Sequence, residues 1–128
     1  MKSFTDIEQS KKLAEILPIE SADMHYVRKT YDFRGNPVDG EWSHPKYGNP
    51  DSKYANYIIQ NFEHYERIPC WSLAALLGVL PKGTNISTPK PTNALGYCCW
   101  NQYDEIYADN PVDACVEMIV KLYEKGLL

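Results

Sequence analysis

The chain has 128 residues, a length that fits one domain. Its 44% hydrophobic and 23% charged residues are typical of a globular protein, and no apolar run approaches the roughly 18 residues of a membrane helix. The net charge of −4, with scattered bases, argues against nucleic acid as the main partner. The first residues lack the apolar core of a signal peptide, so we expect a cytoplasmic protein with no membrane partner.

Two elements are predicted in the first 31 residues. Thr5 and Glu8 have the spacing of a capping box, and apolar residues follow at helical spacing until Pro18. We therefore predict a helix over residues 5–17. The alternating residues 24–31, rich in β-branched and aromatic side chains, predict a strand.

A long aromatic-rich loop or insertion is predicted at about 32–67, because glycine, proline and asparagine recur there. Within it, Asn49 followed by Pro50 resembles a helix start. Aromatic residues then continue at helical spacing, which predicts a helix over 51–64. A strand over 54–60 is the alternative.

The most apolar run of the chain, residues 68–81, predicts a short central helix that ends near Leu80. The helix begins either at Pro69 or after Ser72, which is a good N-cap. Because the run is apolar on nearly every face, we expect it to be buried on most sides. Gly78 costs about 1 kcal/mol relative to alanine in a helix, which predicts a close approach by another element.

The last third of the chain predicts strands and a helix. Residues 94–107 have strand composition. Asn110 and Pro111 form a helix start, apolar residues recur at helical spacing as far as Tyr123, and Gly126 suits the end. Together the elements predict an α+β fold. We expect a single small domain over residues 1–128, with about three to four helices packed on a small antiparallel sheet.

Several segments together resemble a known family. They are Leu17-Pro18 with Ser21-Ala22-Asp23-Met24, Ile68 to Leu77 with Leu80-Pro81, and Asn110 to Ile119. They resemble a family of small proteins encoded by tailed phages, prophages and integrated elements of gut bacteria, Bacteroides-like hosts especially. The resemblance covers roughly residues 5–31 and 68–126, and it implies a small α+β domain in a bacterial cytoplasm. The family has no established activity, so the resemblance implies no catalytic residues.

A cysteine nucleophile is one chemical interpretation of the sequence. Cys70 precedes a helix start, where the helix dipole lowers a thiol pKa, and His25, His44 or His64 could serve as the base. Free cysteine is nevertheless among the most buried residue types, which favours a packing role. A small enzyme using Cys70, or a histidine–carboxylate pair, therefore stays an alternative function, and we predict no catalytic residue.

Metal and cofactor sites are not predicted. No two histidines have the spacing that shares a helix face, and the adjacent Cys98 and Cys99 would point to opposite faces of a strand. A cluster of carboxylates near the last helix could form an acid–base pair or a cation site, but helix capping and a solvated loop explain it better. Its members are Asp104, Glu105, Asp109 and Asp113.

The ten tyrosines and three tryptophans are many for this length. Those in or beside the polar loop suggest a binding surface, while core packing is the alternative explanation. The candidate residues are Trp42, Tyr47, Tyr54 and Tyr57. The leading hypothesis is a non-enzymatic accessory or interaction protein of a mobile element. The alternatives are the small enzyme and a modulator that binds nucleic acid.

Overall fold

The structure is a computed structural model that describes residues 2–49, 64–88 and 96–128. This part of the chain forms three α-helices, one short 3₁₀ helix and six strands. In chain order these are α1 (Ile7–Ala14), the 3₁₀ helix (Ile19–Ser21), β1 (Met24–Tyr31), β2 (Lys46–Tyr47), β3 (His64–Cys70), α2 (Leu73–Val79), β4 (Asn85–Ser87), β5 (Tyr97–Trp100), β6 (Glu105–Ala108) and α3 (Pro111–Glu124). The predicted single small α+β domain is confirmed.

The strands form two antiparallel sheets of three strands each, in the orders β2-β1-β3 and β4-β5-β6. Met24 in β1 lies opposite Tyr47 on one side and Cys70 on the other. The predicted strand region 94–107 is a hairpin of β5 and β6 in its described part. The small sheet expected from the sequence is thus divided in two, since pairing between distant segments leaves no local sequence signal.

The segment 32–67 is not a loop throughout. Residues 64–67 belong to β3 and pair with the end of β1, while Lys46–Tyr47 form β2. The helix predicted over 51–64 and the alternative strand over 54–60 lie outside the described residues, except that His64 begins β3.

The main core surrounds α3, the longest helix in the described ranges. Asn110 caps it, because its side-chain oxygen accepts the N–H of Asp113 at 2.9 Å, and Pro111 occupies the first turn as predicted. Its buried residues are Pro111, Val112, Ala114, Cys115, Val116, Met118, Ile119 and Leu122. They pack against α2 and against the inner face of the second sheet. None of the helices in the described ranges is long and apolar enough to cross a bilayer.

The central helix α2 starts at one of the two predicted positions and ends near Leu80 as predicted, but it is more exposed than expected. It begins after Ser72, whose hydroxyl accepts the N–H of Ala75 at 3.2 Å. The expectation of burial on most sides is wrong: Leu76 is fully buried, but Leu77 is 39% exposed. The close approach expected at Gly78 is also wrong, since an added Cβ would meet nothing within 4 Å. A two-turn helix at the surface offers only one face to α3.

The cap of α1 is Asp6 and not Thr5. Asp6 accepts the N–H of Gln9 at 2.8 Å, and the Gln9 side chain accepts the N–H of Asp6 at 3.1 Å. Thr5 is fully buried instead. Its N–H donates to the carbonyl of Trp71 at 2.9 Å, and its hydroxyl accepts the N–H of Trp71 at 3.1 Å. Because Thr5 pairs with Trp71 instead of capping the helix, α1 starts at Ile7, two residues later than predicted. It ends at Ala14 and not at residue 17.

Candidate functional site

The predicted aromatic surface is described only in part, because Tyr54 and Tyr57 lie outside the described residues. Tyr47 is 86% exposed, as a binding residue requires. Trp42 instead packs against the small core formed by four residues of β1 and β3: Met24, Tyr26, Ile68 and Cys70. The guanidinium of Arg28 lies 5.1 Å from the centre of the Trp42 ring and covers it further. Trp42 is thus a packing residue, whereas Tyr47 is open to a partner.

Cys70 is in the core. Its side chain is fully buried and its sulfur lies 3.6 Å from the hydroxyl of Thr5. Burial raises the pKa of the Cys70 thiol, so its hydrogen bonds do not produce a thiolate at neutral pH. Strand pairing places Cys70 opposite Met24, so His25, the next residue of β1, points to the other face of the sheet. These contacts support packing as the role of Cys70.

His25 is held by the backbone. Its side chain is 2% exposed, and Nδ1–H donates to the carbonyl of Gly48 at 2.8 Å. This bond connects β1 to the residue that follows β2. His44, in contrast, is exposed, and its backbone carbonyl accepts the hydroxyl of Ser43 at 2.9 Å. Among the residues that the structure describes, these two histidines therefore share no carboxylate.

Asp113 occupies the centre of a polar network that joins the first turns of α1 and α3. One carboxylate oxygen accepts from Lys2 Nζ and from Gln9 Nε2, each at 2.8 Å, and the other accepts from Asn110 Nδ2 at 2.8 Å. Partial burial opposes ionisation, but these hydrogen bonds outweigh it and lower the pKa of Asp113. The network explains Asp113 as a structural residue, in agreement with the helix-capping interpretation.

Another carboxylate of the same cluster, Glu105, has a different environment. It lies on the outer face of the second sheet, where it is directly opposite Trp100. Tyr107, two residues along β6, shares that face because side chains alternate along a strand, and it lies opposite Cys98. Trp100 and Tyr107 are 38% and 39% exposed. We call these four residues, Cys98, Trp100, Glu105 and Tyr107, the outer aromatic face.

Hydrogen bonds fix the centre of the outer aromatic face. The hydroxyl of Tyr107 donates to Glu105 Oε1 at 2.7 Å, and the thiol of Cys98 lies 3.7 Å from the same oxygen. The bond to Glu105 raises the pKa of Tyr107 to about 12, so this hydroxyl keeps its proton at neutral pH. The sequence predicts strands in this region, in which alternate side chains share a face. It does not indicate which residues of the two strands are paired, so the contact between these side chains could not be predicted.

A third exposed feature is the turn after β1, residues 32–36, which we call the Phe33 turn. Phe33 is 66% exposed. The turn is ordered by Asp32, whose Oδ1 accepts the N–H groups of Arg34 and Asn36, both at 2.9 Å. Gly35 adopts φ 80°, a left-handed conformation that suits glycine. Phe33 was not among the predicted binding residues, since exposure cannot be read from a single aromatic residue in a loop.

The described side chains do not indicate a metal site. Within the three described ranges, no three histidine, cysteine or acidic side chains are grouped so that they could hold a metal ion. The fold and the exposed surfaces define a small α+β protein with separate aromatic surfaces. Comparison of the chain with protein-family models, curated proteins and solved structures found no match in any of the three.

Proposed function

We propose that the protein is a non-enzymatic interaction protein of a phage or related mobile element, and that it binds a protein partner through the Phe33 turn. The observation that carries this proposal is a large apolar ring, 66% exposed, on a turn ordered by hydrogen bonds. The mobile-element setting rests on the family resemblance of the two ends and the centre of the sequence.

The Phe33 turn is ordered before any partner arrives. Besides the side-chain bonds of Asp32, the backbone N–H of Asp32 donates to the carbonyl of Asn36 at 2.9 Å, and that of Gly35 donates to Asp32 at 3.0 Å. The bond from the backbone N–H of Asn36 is the main reason that the pKa of Asp32 is lowered. A turn that is already ordered loses less conformational entropy on binding, which favours affinity.

The chemistry of the turn suits a protein partner. Aromatic and arginine side chains are enriched among the residues that dominate binding energy at protein interfaces. The guanidinium of Arg34 lies 5.3 Å from the centre of the Phe33 ring, so both groups are presented together. We expect the partner to supply an apolar pocket for Phe33 with an acidic group at its rim for Arg34.

Tyr47 forms a separate point of contact. It pairs with Met24 at the start of β1, whereas Phe33 lies two residues beyond Tyr31, the last residue of that strand. Eight residues of extended chain separate these positions, which is about 25 Å at the usual rise per residue. Phe33 and Tyr47 therefore do not form one continuous patch, and the test below addresses Phe33 alone.

The experiment is affinity capture from an extract of a Bacteroides-like host, followed by measurement with the purified partner. The wild-type protein and Phe33→Ala are compared with Tyr123→Ala, which removes a ring that is 50% exposed on α3. We expect Phe33→Ala to weaken binding by about 30-fold, the loss typical of a residue that dominates an interface, and Tyr123→Ala to change it less than about twofold. Equal binding by wild type and Phe33→Ala, or no specific partner under several conditions, would refute the proposal.

A further inference from the structure

We propose that the outer aromatic face binds an arginine side chain of a partner protein, with Glu105 pairing the guanidinium between the rings of Trp100 and Tyr107. This site lies on the second sheet and does not depend on the Phe33 turn, which follows a strand of the first sheet. Its evidence is the register of the strands, the charge of the face and the hydrogen bonds that fix it.

The register places two rings around one carboxylate. Trp100 is the direct cross-strand neighbour of Glu105, and such neighbours have Cβ atoms about 5 Å apart. Tyr107 follows two residues later on the same strand and is held to Glu105 by its hydroxyl at 2.7 Å. A cation that pairs with this carboxylate is therefore a close neighbour of both rings, and cation–π attraction acts within about 6 Å of a ring centre.

The charge of the face is negative, and among the described residues Glu105 forms no ion pair. None of the three strands of the second sheet carries a lysine or arginine. In the described part of the chain, Glu105 has only the neutral Tyr107 hydroxyl and Cys98 thiol as side-chain partners, and both approach Oε1. The nearby Lys125 pairs with Asp104 at 3.0 Å instead. Within the described ranges Oε2 of Glu105 therefore accepts no side-chain hydrogen bond, and the proposal assigns this oxygen to the ligand.

The neighbouring outward positions on β4 favour a side chain that stacks and also donates several hydrogen bonds. Asn85 pairs with Trp100 and Ser87 pairs with Cys98, so their neutral polar groups border the face. Arginine combines a planar cation, which stacks on aromatic rings, with five N–H donors, whereas a lysine ammonium is a compact and strongly hydrated charge. The combination of rings, carboxylate and neutral polar groups therefore matches arginine best.

The test follows the indole N–H of Trp100 and the amides of Glu105 and Tyr107 by NMR of the ¹⁵N-labelled chain, with Trp100→Phe used to assign the indole signal. The probes are acetyl-Gly-Arg-Arg-Gly-amide and the same peptide with citrulline, which is planar but neutral, in place of arginine. Glu105→Gln keeps a hydrogen-bond acceptor for Tyr107 and removes the charge. Glu20→Gln, which changes an exposed carboxylate on the 3₁₀ helix, is the matched control.

We expect saturable shifts of these signals with the arginine peptide and a loss of about tenfold in affinity in Glu105→Gln, but none in Glu20→Gln. Equal shifts with the citrulline peptide, or undiminished binding by Glu105→Gln, would overturn the proposal. Two further probes test other occupants. Tighter binding of tetramethylammonium would assign the face to a small ammonium ligand, and the same shifts with oligodeoxythymidine would assign it to nucleic acid. Either result would refute the arginine proposal.

Discussion

Leu76→Ala tests how α2 is attached to the core. Leu76 is fully buried in the main core, and alanine removes about three carbon atoms from it. At about 0.8 kcal/mol per methylene, the lost transfer free energy is about 2.4 kcal/mol. The cavity that remains raises the expected loss in the free energy of unfolding to about 2–5 kcal/mol. For a chain of this size, each 1 kcal/mol lowers Tm by about 4 °C, so we expect a decrease of roughly 8–20 °C.

Leu77→Ala is the matched control, because the same substitution falls on the next residue of the same helix. Leu77 is 39% exposed, so we expect a loss below about 1 kcal/mol. Urea denaturation followed by tryptophan fluorescence measures both variants, since the indole of Trp71 is fully buried and its Nε1–H donates to Ser21 Oγ at 2.9 Å. Surface substitutions usually change the free energy of unfolding by no more than about 0.5 kcal/mol. If the losses in the two variants agree within about that amount, the assignment of Leu76 to the core is wrong.

Two further predictions concern a glycine and a carboxylate. Gly78→Ala should raise the free energy of unfolding by about 0.5–1 kcal/mol in the same urea assay, because the site is open and helical, and a loss of stability would contradict this. Gly96→Ala is its control and should destabilise, since Gly96 has φ +84° and an added Cβ would overlap the carbonyl of Ala108. For Asp113, the folded-state pKa is lowered, so its stabilising effect is complete above the unfolded value near pH 4 and is lost as pH falls through the lower folded value. Asp113→Asn should therefore reduce the slope of the unfolding free energy against pH on the acid side. Asp109→Asn changes an exposed carboxylate outside the network and should leave that slope unchanged. Equal slopes in the two variants would refute this role of Asp113.

The parts of the fold that sequence predicts are those with local causes. Asn110 and Ser72 cap their helices through bonds to N–H groups three residues away, and these contacts depend on the local sequence alone. The alternation over residues 24–31 likewise needs only the geometry of one strand. The single-domain α+β class follows from such local signals.

The remaining features depend on contacts between distant residues. Thr5 has the spacing of an N-cap, but its hydroxyl accepts the N–H of Trp71 instead. No local sequence pattern indicates that this distant partner replaces the helix N-terminus. Leu76 and Leu77 are both leucines in the same apolar run, and only the position of α3 decides which of them is buried. The two surfaces that we propose for binding could not be predicted from the sequence for the same reason. Exposure of Phe33 and the meeting of Trp100 with Glu105 follow from turn geometry and strand register, whereas Trp42 turns toward the core.

The pairing of Thr5 with Trp71 also has a consequence for the order of folding during synthesis. The two residues are 66 positions apart, and the bond from Lys2 to Asp113 spans 111 positions. A ribosome releases the amino-terminal residues first, but Thr5 and Lys2 acquire these partners only after the middle and the end of the chain have emerged. Contacts of such separation also slow folding, because a long loop must close before they form. Thr5 should therefore dock only after Trp71 has been synthesised, and Lys2 only after the first turn of α3 has been synthesised.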